Sequence, residues 1–289
     1  MSRIPIAGVQ MEPKIGELDA NRSTIVKHLQ SAAARGAKLI VFPECAVTGY
    51  GFASRVEALA HAETIDGPSY QTLFAQCSKL GVFTIYGFLE RDEDRLFNAL
   101  AFVGPEGLVG SYRKVHLPYI GVDRFADLGD RPFAVQEITI DDQSLRVGMH
   151  ICYDGGFPES GRVLTLLGAD LLVLPTNWPT HAECAAEHMI ATRAMENVVY
   201  CMAVNRIGEE RGFRFIGHSS IADPTGNIMV QLGPEKVATF HVAIDPTLAR
   251  TKRLIRVAGL HEVDRIRDRR PEFYGEITRS DNDRNRTSS

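Results

Sequence analysis

The chain has 289 residues, of which 44% are hydrophobic and 24% are charged, with a formal net charge of -4. This composition predicts a globular protein with a substantial core. It indicates neither nucleic-acid binding, since no basic block occurs, nor a membrane protein, since no apolar stretch reaches roughly 18 residues. The start of the chain lacks a signal-peptide core, and the five cysteines form no Cys-x-x-Cys pair, so a cytoplasmic location without disulfides or a zinc site is predicted.

The first part of the chain alternates predicted helices and strands. Residues 21–34 are predicted as a helix, and an apolar run at residues 39–42 then ends in Pro-Glu. A short apolar run bounded by such residues is typical of a buried strand, so the carboxylate of Glu44 is expected at a strand end. A further helix is predicted over residues 69–81, where apolar residues recur on one face.

Two more predicted strand ends carry reactive side chains. Lys114 comes after a strand that begins near Leu108, and Cys152 comes directly after the apolar run at residues 145–151 and before a Gly-Gly turn. A carboxylate, an ammonium and a thiol on separate strand ends are chemically complementary. The carboxylate can take the thiol proton, while the ammonium can keep the carboxylate ionised and stabilise an oxyanion.

An internal repeat indicates the architecture. Residues 36–43 and 168–175 share one pattern: Gly-Ala, a charged residue, four apolar residues and proline. Each copy follows a helix-like stretch. A helix over residues 183–197 and a strand over residues 198–204 follow the second copy. The pattern predicts two similar α/β halves, with mixed sheets facing each other and helices outside, a four-layer α-β-β-α sandwich.

Several motifs together resemble those of the nitrilase, or carbon–nitrogen hydrolase, superfamily. The motifs are Phe-Pro-Glu at 42–44, Tyr-Arg-Lys-Val-His-Leu-Pro at 112–118, Cys-Tyr-Asp at 152–154 and Phe-Pro-Glu at 157–159. Separated motifs in the right order and spacing are far more specific than one short pattern. The resemblance covers about residues 4 to 275. It implies the same sandwich fold, a catalytic triad of Glu44, Lys114 and Cys152, and neither a metal nor an organic cofactor.

The resemblance predicts a hydrolase that cleaves the C–N bond of a small amide through a cysteine thioester and releases ammonia or an amine. Cys-Tyr-Asp looks like the amidase branches, since true nitrilases typically show Cys-Trp-Glu and carbamoylases Cys-Asn-Asp with two arginines. Nitrilase or N-carbamoyl hydrolase activity on the same triad is the alternative. Two further alternatives lie outside the hydrolases: a soluble acyltransferase and a non-catalytic binding protein. The acyl group is left open.

Further residues are predicted to surround the triad. The backbone N–H of Tyr153 is expected to hold the oxyanion, and Asn177 and Trp178, after the second repeat's strand, are expected to bind substrate. Tyr50 and Tyr119 are further candidates for the pocket. For these four pocket side chains, local packing is the alternative interpretation.

The chain departs from the family pattern at two places. Many members use a second glutamate between the lysine and the cysteine, but residues 121–125 contain none. Asp123 either takes that role with a shorter reach or forms a salt bridge with Arg124. Gly155 and Gly156 stand where amidase-type members often carry Leu-Arg, which removes a guanidinium from the turn after the nucleophile.

The domain organisation is predicted as a hydrolase domain at residues 1–264 and a C-terminal extension at residues 265–289. The extension is expected to supply an interface segment and then, from residue 280, a disordered tail. The helix at 183–197 carries small and apolar residues that suit packing against a two-fold mate, namely Ala185, Ala186, Met189, Ile190 and Ala194. The prediction is therefore a homodimer or higher homo-oligomer that takes a small-molecule amide and binds neither nucleic acid nor membrane.

Overall fold

The computed structural model describes residues 3–279. The chain forms two compact units, Met1–Arg250 and Thr251–Ser289. The sequence instead puts a boundary between residues 264 and 265, and that division into a hydrolase domain and an extension stays a prediction. The predicted disordered tail, residues 280–289, lies outside the described residues.

Two six-stranded sheets and five helices of more than five residues build the first unit. Its strands are β1 (Ile4–Gln10), β2 (Leu39–Val41), β3 (Phe83–Asp92), β4 (Arg95–Gly104), β5 (Gly107–Arg113), β6 (Val135–Ile140), β7 (Gln143–Met149), β8 (Leu171–Thr176), β9 (Tyr200–Asn205), β10 (Ile207–Glu210), β11 (Phe213–Ile216), β12 (Ser220–Ala222), β13 (Ile228–Gln231) and β14 (Ala238–Ile244). Its helices are α1 (Leu18–Ala34), α2 (Arg55–Ala60), α3 (Pro68–Leu80), α4 (Pro158–Leu166), α5 (Ile190–Asn197) and the short α6 (Pro246–Arg250). A π-helical turn, Ala185–Met189, leads into α5.

The two sheets have the same topology. The first has the order β14-β1-β2-β3-β4-β5 and the second the order β6-β7-β8-β9-β12-β13. In each sheet the second, third and fourth strands are parallel, and the strand immediately on each side of this group is antiparallel to it. The strand after each half's last hairpin joins the opposite sheet, since β6 pairs with β7 and β14 pairs with β1. The prediction of two pseudo-symmetric halves is confirmed.

The repeat puts alternate side chains on opposite faces of each sheet, because side chains alternate along a strand. Side chains that face the other sheet share one apolar core. The repeat contributes four of them, Leu39, Val41, Leu171 and Val173. Side chains that face outward pack in two further clusters, one on each sheet. The repeat contributes Ile40 and Phe42 to the first cluster and Leu172 and Leu174 to the second. Helices α1 and α3 cover the first sheet, and α4 and α5 cover the second. Each fully buried aliphatic side chain contributes about 1.5–3 kcal/mol to this packing.

The second unit begins with a hairpin of β15 (Arg253–Val257) and β16 (His261–Asp264). Two short 3₁₀ turns follow, Pro271–Phe273 and Gly275–Thr278. Many of its apolar side chains are exposed, and these include Ile255, Val257, Leu260, Phe273 and Ile277. Among residues 3–279 no helix is long and apolar enough to cross a membrane.

Candidate active site

The thiol of Cys152 stands on a sharp turn. Strand β7 ends at Met149, and a single 3₁₀ turn, Cys152–Gly156, follows. Cys152 has a φ of 46°, in the left-handed region that a non-glycine residue adopts only when its surroundings hold it there. The next residue, Tyr153, is near the start of the turn, where a backbone N–H has no acceptor within the turn.

Asp154 ties this turn to the segment that carries Lys114. Its Oδ2 accepts hydrogen bonds from the Ile151 N–H at 2.9 Å and the Tyr112 hydroxyl at 2.8 Å. Its Oδ1 accepts one from the His116 N–H at 3.0 Å and lies 2.7 Å from His116 Nδ1. Burial acts to raise the pKa of Asp154, but these donors outweigh burial and hold that pKa below its ordinary value. An ionised Asp154 therefore holds the Cys152 turn against the segment that carries Lys114.

A guanidinium from another part of the chain reaches this turn. Arg193, on α5, donates from Nε to the Gly155 carbonyl at 2.9 Å and from Nη1 to Glu196 at 2.8 Å. Gly156 supplies no guanidinium itself, and the one at this turn comes from a distant helix. Arg193 is buried and bound to backbone carbonyl oxygen, so it supports the turn.

Lys114 lies between two carboxylates. Its Nζ is 2.7 Å from Glu44 Oε1 and 2.6 Å from Asp123 Oδ2, and all three side chains are buried. Asp123 lies against Lys114 and not against Arg124, whose Nε donates to the Gly121 carbonyl at 3.2 Å. The structure therefore brings Glu44, Lys114 and Asp123 together, as two anions that share one cation.

Two neighbours complete this cluster. Asn98, on β4, donates from Nδ2 to Glu44 Oε1 at 2.7 Å and to Asp123 Oδ1 at 2.8 Å. The Tyr50 hydroxyl donates to Asp123 Oδ2 at 2.8 Å. Tyr50 is buried and its hydroxyl is committed to this carboxylate, so packing is the better interpretation of it. Sequence reasoning missed Asn98, and its one signal is that it interrupts an otherwise apolar buried strand.

The charges of the cluster follow from burial and from these contacts. Burial acts to lower the pKa of Lys114, but Asp123 and Glu44 outweigh it and raise that pKa well above its ordinary value, so Lys114 is a cation. Burial raises the pKa of Glu44, and the Lys114 charge opposes this.

The Cys152 thiol is protonated at neutral pH. Burial and then the Glu44 charge raise its pKa to about 12. The Lys114 charge, the Thr176 hydroxyl and the Asn177 backbone N–H act in the opposite direction without reversing the shift. A reaction at this sulfur therefore needs a base that removes its proton.

The oxygens of the two carboxylates at Lys114 differ in their hydrogen bonds. Glu44 Oε1 accepts two hydrogen bonds, from Lys114 and Asn98. Glu44 Oε2 is buried and has no hydrogen-bond partner within residues 3–279. Both oxygens of Asp123 are occupied by donors. The geometry thus distinguishes Glu44, with an open acceptor, from Asp123, which is saturated.

The predicted pocket residues have different environments. Asn177 is buried, and neither polar atom of its carboxamide has a partner in the described part of the chain. The Trp178 side chain packs in the cluster beneath α4 and α5. The Tyr153 side chain is 45% exposed and meets Phe157 edge-on. A substrate contact of these three stays a prediction.

An open cavity of about 380 Å³ lies near Tyr50 and the 3₁₀ turn at Gly121–Arg124. Its lining residues are Gly51, Phe52, Ala53, Tyr119, Ile120, Gly121, Arg124, Arg211 and Phe213. Tyr119 is thus at a cavity wall, whereas Glu44, Lys114 and Cys152 are not. Nowhere in residues 3–279 do three or more His, Cys, Asp or Glu side chains form a group that could hold a metal ion.

Comparisons with known proteins agree with one another. The family model of carbon–nitrogen hydrolases matches residues 5–253. A protein named nitrilase from Pyrococcus abyssi is 37% identical over 94% of this chain and 99% of its own length. An (R)-stereoselective amidase from Pseudomonas sp. is 31% identical over 93% of each chain. A variant of the amidase from Nesterenkonia sp., with the acetamide moiety of fluoroacetamide added covalently at its active-site cysteine, shares the fold. Its TM-score is 0.78 at 21% identity, over 96% of this chain and 97% of that one.

Proposed function

Because this chain belongs to the carbon–nitrogen hydrolase family, we propose that it is an amidase that hydrolyses a small amide through a thioester on Cys152. The observation that carries the proposal is the buried Glu44–Lys114 pair with one open carboxylate oxygen. This pair supplies the base that a thiol with a raised pKa requires. The relatives named as amidases support the choice of an amide.

In the first step Glu44 Oε2 takes the thiol proton as the Cys152 sulfur attacks the amide carbonyl carbon. A C–S bond forms, and the carbonyl electron pair moves onto the oxygen. The Lys114 ammonium and the Tyr153 N–H stabilise this oxyanion. Loss of one such donor typically costs about 10²–10³ in rate. The C–N bond then breaks, and the leaving nitrogen takes the proton from Glu44.

In the second step water attacks the thioester carbonyl, and Glu44 removes a proton from the water. The C–S bond breaks, the Cys152 sulfur regains its proton from Glu44, and a carboxylic acid is released. Asp123 keeps Lys114 charged throughout, since its oxygens are occupied by donors. In this proposal Cys152 carries the acyl group, Glu44 moves the protons, and Lys114 with the Tyr153 N–H stabilises the oxyanion.

The function is tested by ammonia release from a panel of aliphatic amides, aromatic amides, ω-amides of dicarboxylates, N-carbamoyl amino acids and nitriles. We expect at least one amide to yield ammonia and its acid, with a larger kcat/KM than the nitrile of the same acyl group. The nitrilase named above makes nitrile hydrolysis the second candidate. Turnover of nitriles alone, of N-carbamoyl compounds alone, or of none of the panel would each contradict the amidase proposal.

Acyl transfer to another nucleophile is distinguished in the same assay. With hydroxylamine added, an amidase still forms mostly the acid, because its thioester is exposed to water. An acyltransferase forms mostly the hydroxamate and turns over slowly without the added nucleophile. Total product in the presence and absence of hydroxylamine therefore separates the two reactions.

We further propose that the protein is a homo-oligomer, at least a dimer. Of the residues of that predicted contact, Ala186, Ile190 and Ala194 are buried against their own sheet and are not available to a second copy. The outer surface of α4 and α5 instead exposes other apolar side chains, which are Val163, Leu166, Leu167 and Met195. Exposed apolar residues that cluster on one face are typical of an interaction site.

Light scattering is expected to give a mass of at least twice 31.9 kDa. The double substitution Leu166→Glu and Leu167→Glu should lower that mass, since two charges on a buried contact are costly. Deletion of residues 265–289 should lower the mass or the melting temperature, while deletion of residues 280–289 alone should change neither. A monodisperse, fully active monomer would rule out the proposal.

A further inference from the structure

We propose that Asn98 is a positioning residue for this reaction: its carboxamide bridges the two carboxylates at Lys114 and so leaves Oε2 of Glu44 as the open oxygen of that pair. The inference rests on the function proposed above and adds to it the residue that selects the base. Asn98 itself contacts neither the sulfur nor, in this proposal, the substrate. It acts through Glu44 and Asp123.

Asn98 is placed for this role by β4. Its side chain is buried, and the two hydrogens of its amide nitrogen go to two different carboxylates, Glu44 Oε1 at 2.7 Å and Asp123 Oδ1 at 2.8 Å. Lys114 joins the same two carboxylates at 2.7 and 2.6 Å. The four groups therefore form a closed ring, with donors and anions in alternation.

The orientation of the Asn98 amide is determined by its neighbours. Its Oδ1 faces the Cys45 thiol, 3.6 Å from Sγ, which is a donor. The reverse orientation would turn a carbonyl oxygen toward two ionised carboxylates, which have no hydrogen to donate. The ring thus holds the amide in one state, with its nitrogen toward Glu44 and Asp123.

The ring makes the two carboxylates unequal. Asp123 accepts from Asn98 at one oxygen and from Lys114 and Tyr50 at the other. Glu44 accepts both of its hydrogen bonds at Oε1, which leaves Oε2 without a partner within the described residues. Without the amide, Asp123 Oδ1 would also become an open buried acceptor. The base would then have a competitor for the proton, and Glu44 could turn either oxygen toward the sulfur.

The backbone of Asn98 has a separate role that substitutions leave intact. Its carbonyl accepts a hydrogen bond from the Lys114 N–H at 2.8 Å. Because every residue keeps this carbonyl, a side-chain substitution removes only the carboxamide. The side chain can therefore be tested without displacing Lys114 through the main chain.

The test uses two variants of nearly the same shape, Asn98→Leu, which removes both donors, and Asn98→Asp, which replaces them by an acceptor. For Asn98→Leu we expect kcat to fall about 10- to 100-fold with a smaller change in KM, since a hydrogen bond to a charged group is lost. The acidic limb of the pH–rate profile should move to higher pH. The Asn98 hydrogen bond lowers the pKa of Glu44, so its loss raises the pH at which Glu44 ionises.

Asn98→Asp keeps the proposal testable if Asn98→Leu does not fold. A third carboxylate beside Glu44 should move the acidic limb further in the same direction than Asn98→Leu does, with a larger loss of kcat.

The matched control is Asn21→Leu. Asn21 is also buried, but its side chain bonds only to backbone atoms of Lys14 and Val47. This control should lower the melting temperature and leave the acidic limb in place.

A second readout separates this inference from the proposed function. The rate at which iodoacetamide alkylates Cys152, followed against pH, reports base-assisted removal of the thiol proton without any substrate. The Asn98 variants should shift this profile in the same direction as the kinetic one. If wild-type enzyme releases ammonia but the variants keep the wild-type pH dependence in both assays, the role of Asn98 is overturned and the amidase proposal stands. If no amide is turned over, alkylation still decides the role of Asn98.

Discussion

Substitution of Cys152 by alanine is expected to abolish turnover, by at least about 10⁴-fold, while the protein remains folded. The covalent bond between enzyme and acyl group forms and breaks at this sulfur, and alanine has no group that can replace it. The turn is held by Asp154 and Arg193, which the substitution does not touch. Removal of one sulfur atom at a partly exposed turn leaves little cavity, so the melting temperature should change by only a few degrees. Ammonia release and thermal melting measure the two effects.

The chemical counterpart is alkylation by iodoacetamide at low excess. Cys45, Cys77 and Cys201 are buried, whereas Cys184 is exposed and is the competing thiol. Loss of activity should therefore follow modification of Cys152 and not of Cys184, as located by peptide mass spectrometry. Cys184→Ser is the control and should be inactivated like wild type. Full activity after quantitative labelling of Cys152 would contradict the assignment of the nucleophile.

The second large effect is expected for Glu44→Gln, with a loss of about 10³-fold or more. The amide keeps the shape of the carboxylate and can still accept hydrogen bonds from Lys114 and Asn98, but it cannot take a proton. Lys114 retains Asp123 as its counter-ion, so the melting temperature should shift little. Alkylation of Cys152 at neutral pH should slow as well, because burial still raises the pKa of the thiol and the amide cannot remove its proton. Activity above about a tenth of wild type, a loss below roughly 1.4 kcal/mol, would show that Glu44 is not the base.

The wild-type pH profile supplies an independent check. Burial raises the pKa of Glu44 against the opposing charge of Lys114. The rate should therefore fall, as the pH decreases, at a pH above the ordinary range of a glutamate. Glu90→Gln is the matched control, since Glu90 is also buried but belongs to a different ion pair. Its Oε1 lies 2.6 Å from Nη2 of Arg113. It should reduce stability and leave the acidic limb unchanged.

Much of the fold is determined by patterns that are local in the sequence. The apolar runs of β2 and β8 are short and continuous because both of their faces are buried, one by the other sheet and one by helices. The helix predicted at residues 69–81 is observed as Pro68–Leu80, and Gly81 ends it with a φ of 62°. The repeat predicts the shared strand order, since equal sequence patterns form equal α/β units.

The position of the reactive groups at strand ends is also visible in the sequence. Glu44, Lys114 and Cys152 each come after a run that forms a strand. Their catalytic roles stay predictions, as do the cytoplasmic location and the identity of the acyl group. The sequence alone identifies the carboxylate, the ammonium and the thiol, and it places each of them at the end of a separate strand.

Only the tertiary structure decided which side chains meet. Asn98 lies 54 positions from Glu44 and 25 from Asp123, yet it bonds to both. The Arg193 contact with the Cys152 turn spans 38 positions, and nothing in the sequence near that turn predicts it. The exchange of β6 and β14 between the sheets is equally nonlocal. Periodicity and turn residues report the conformation of a few neighbouring residues, whereas these contacts depend on how distant strands are packed. The sequence by itself therefore determined the elements and the chemistry they carry, and the packing of the two sheets decided which carboxylate oxygen is left open.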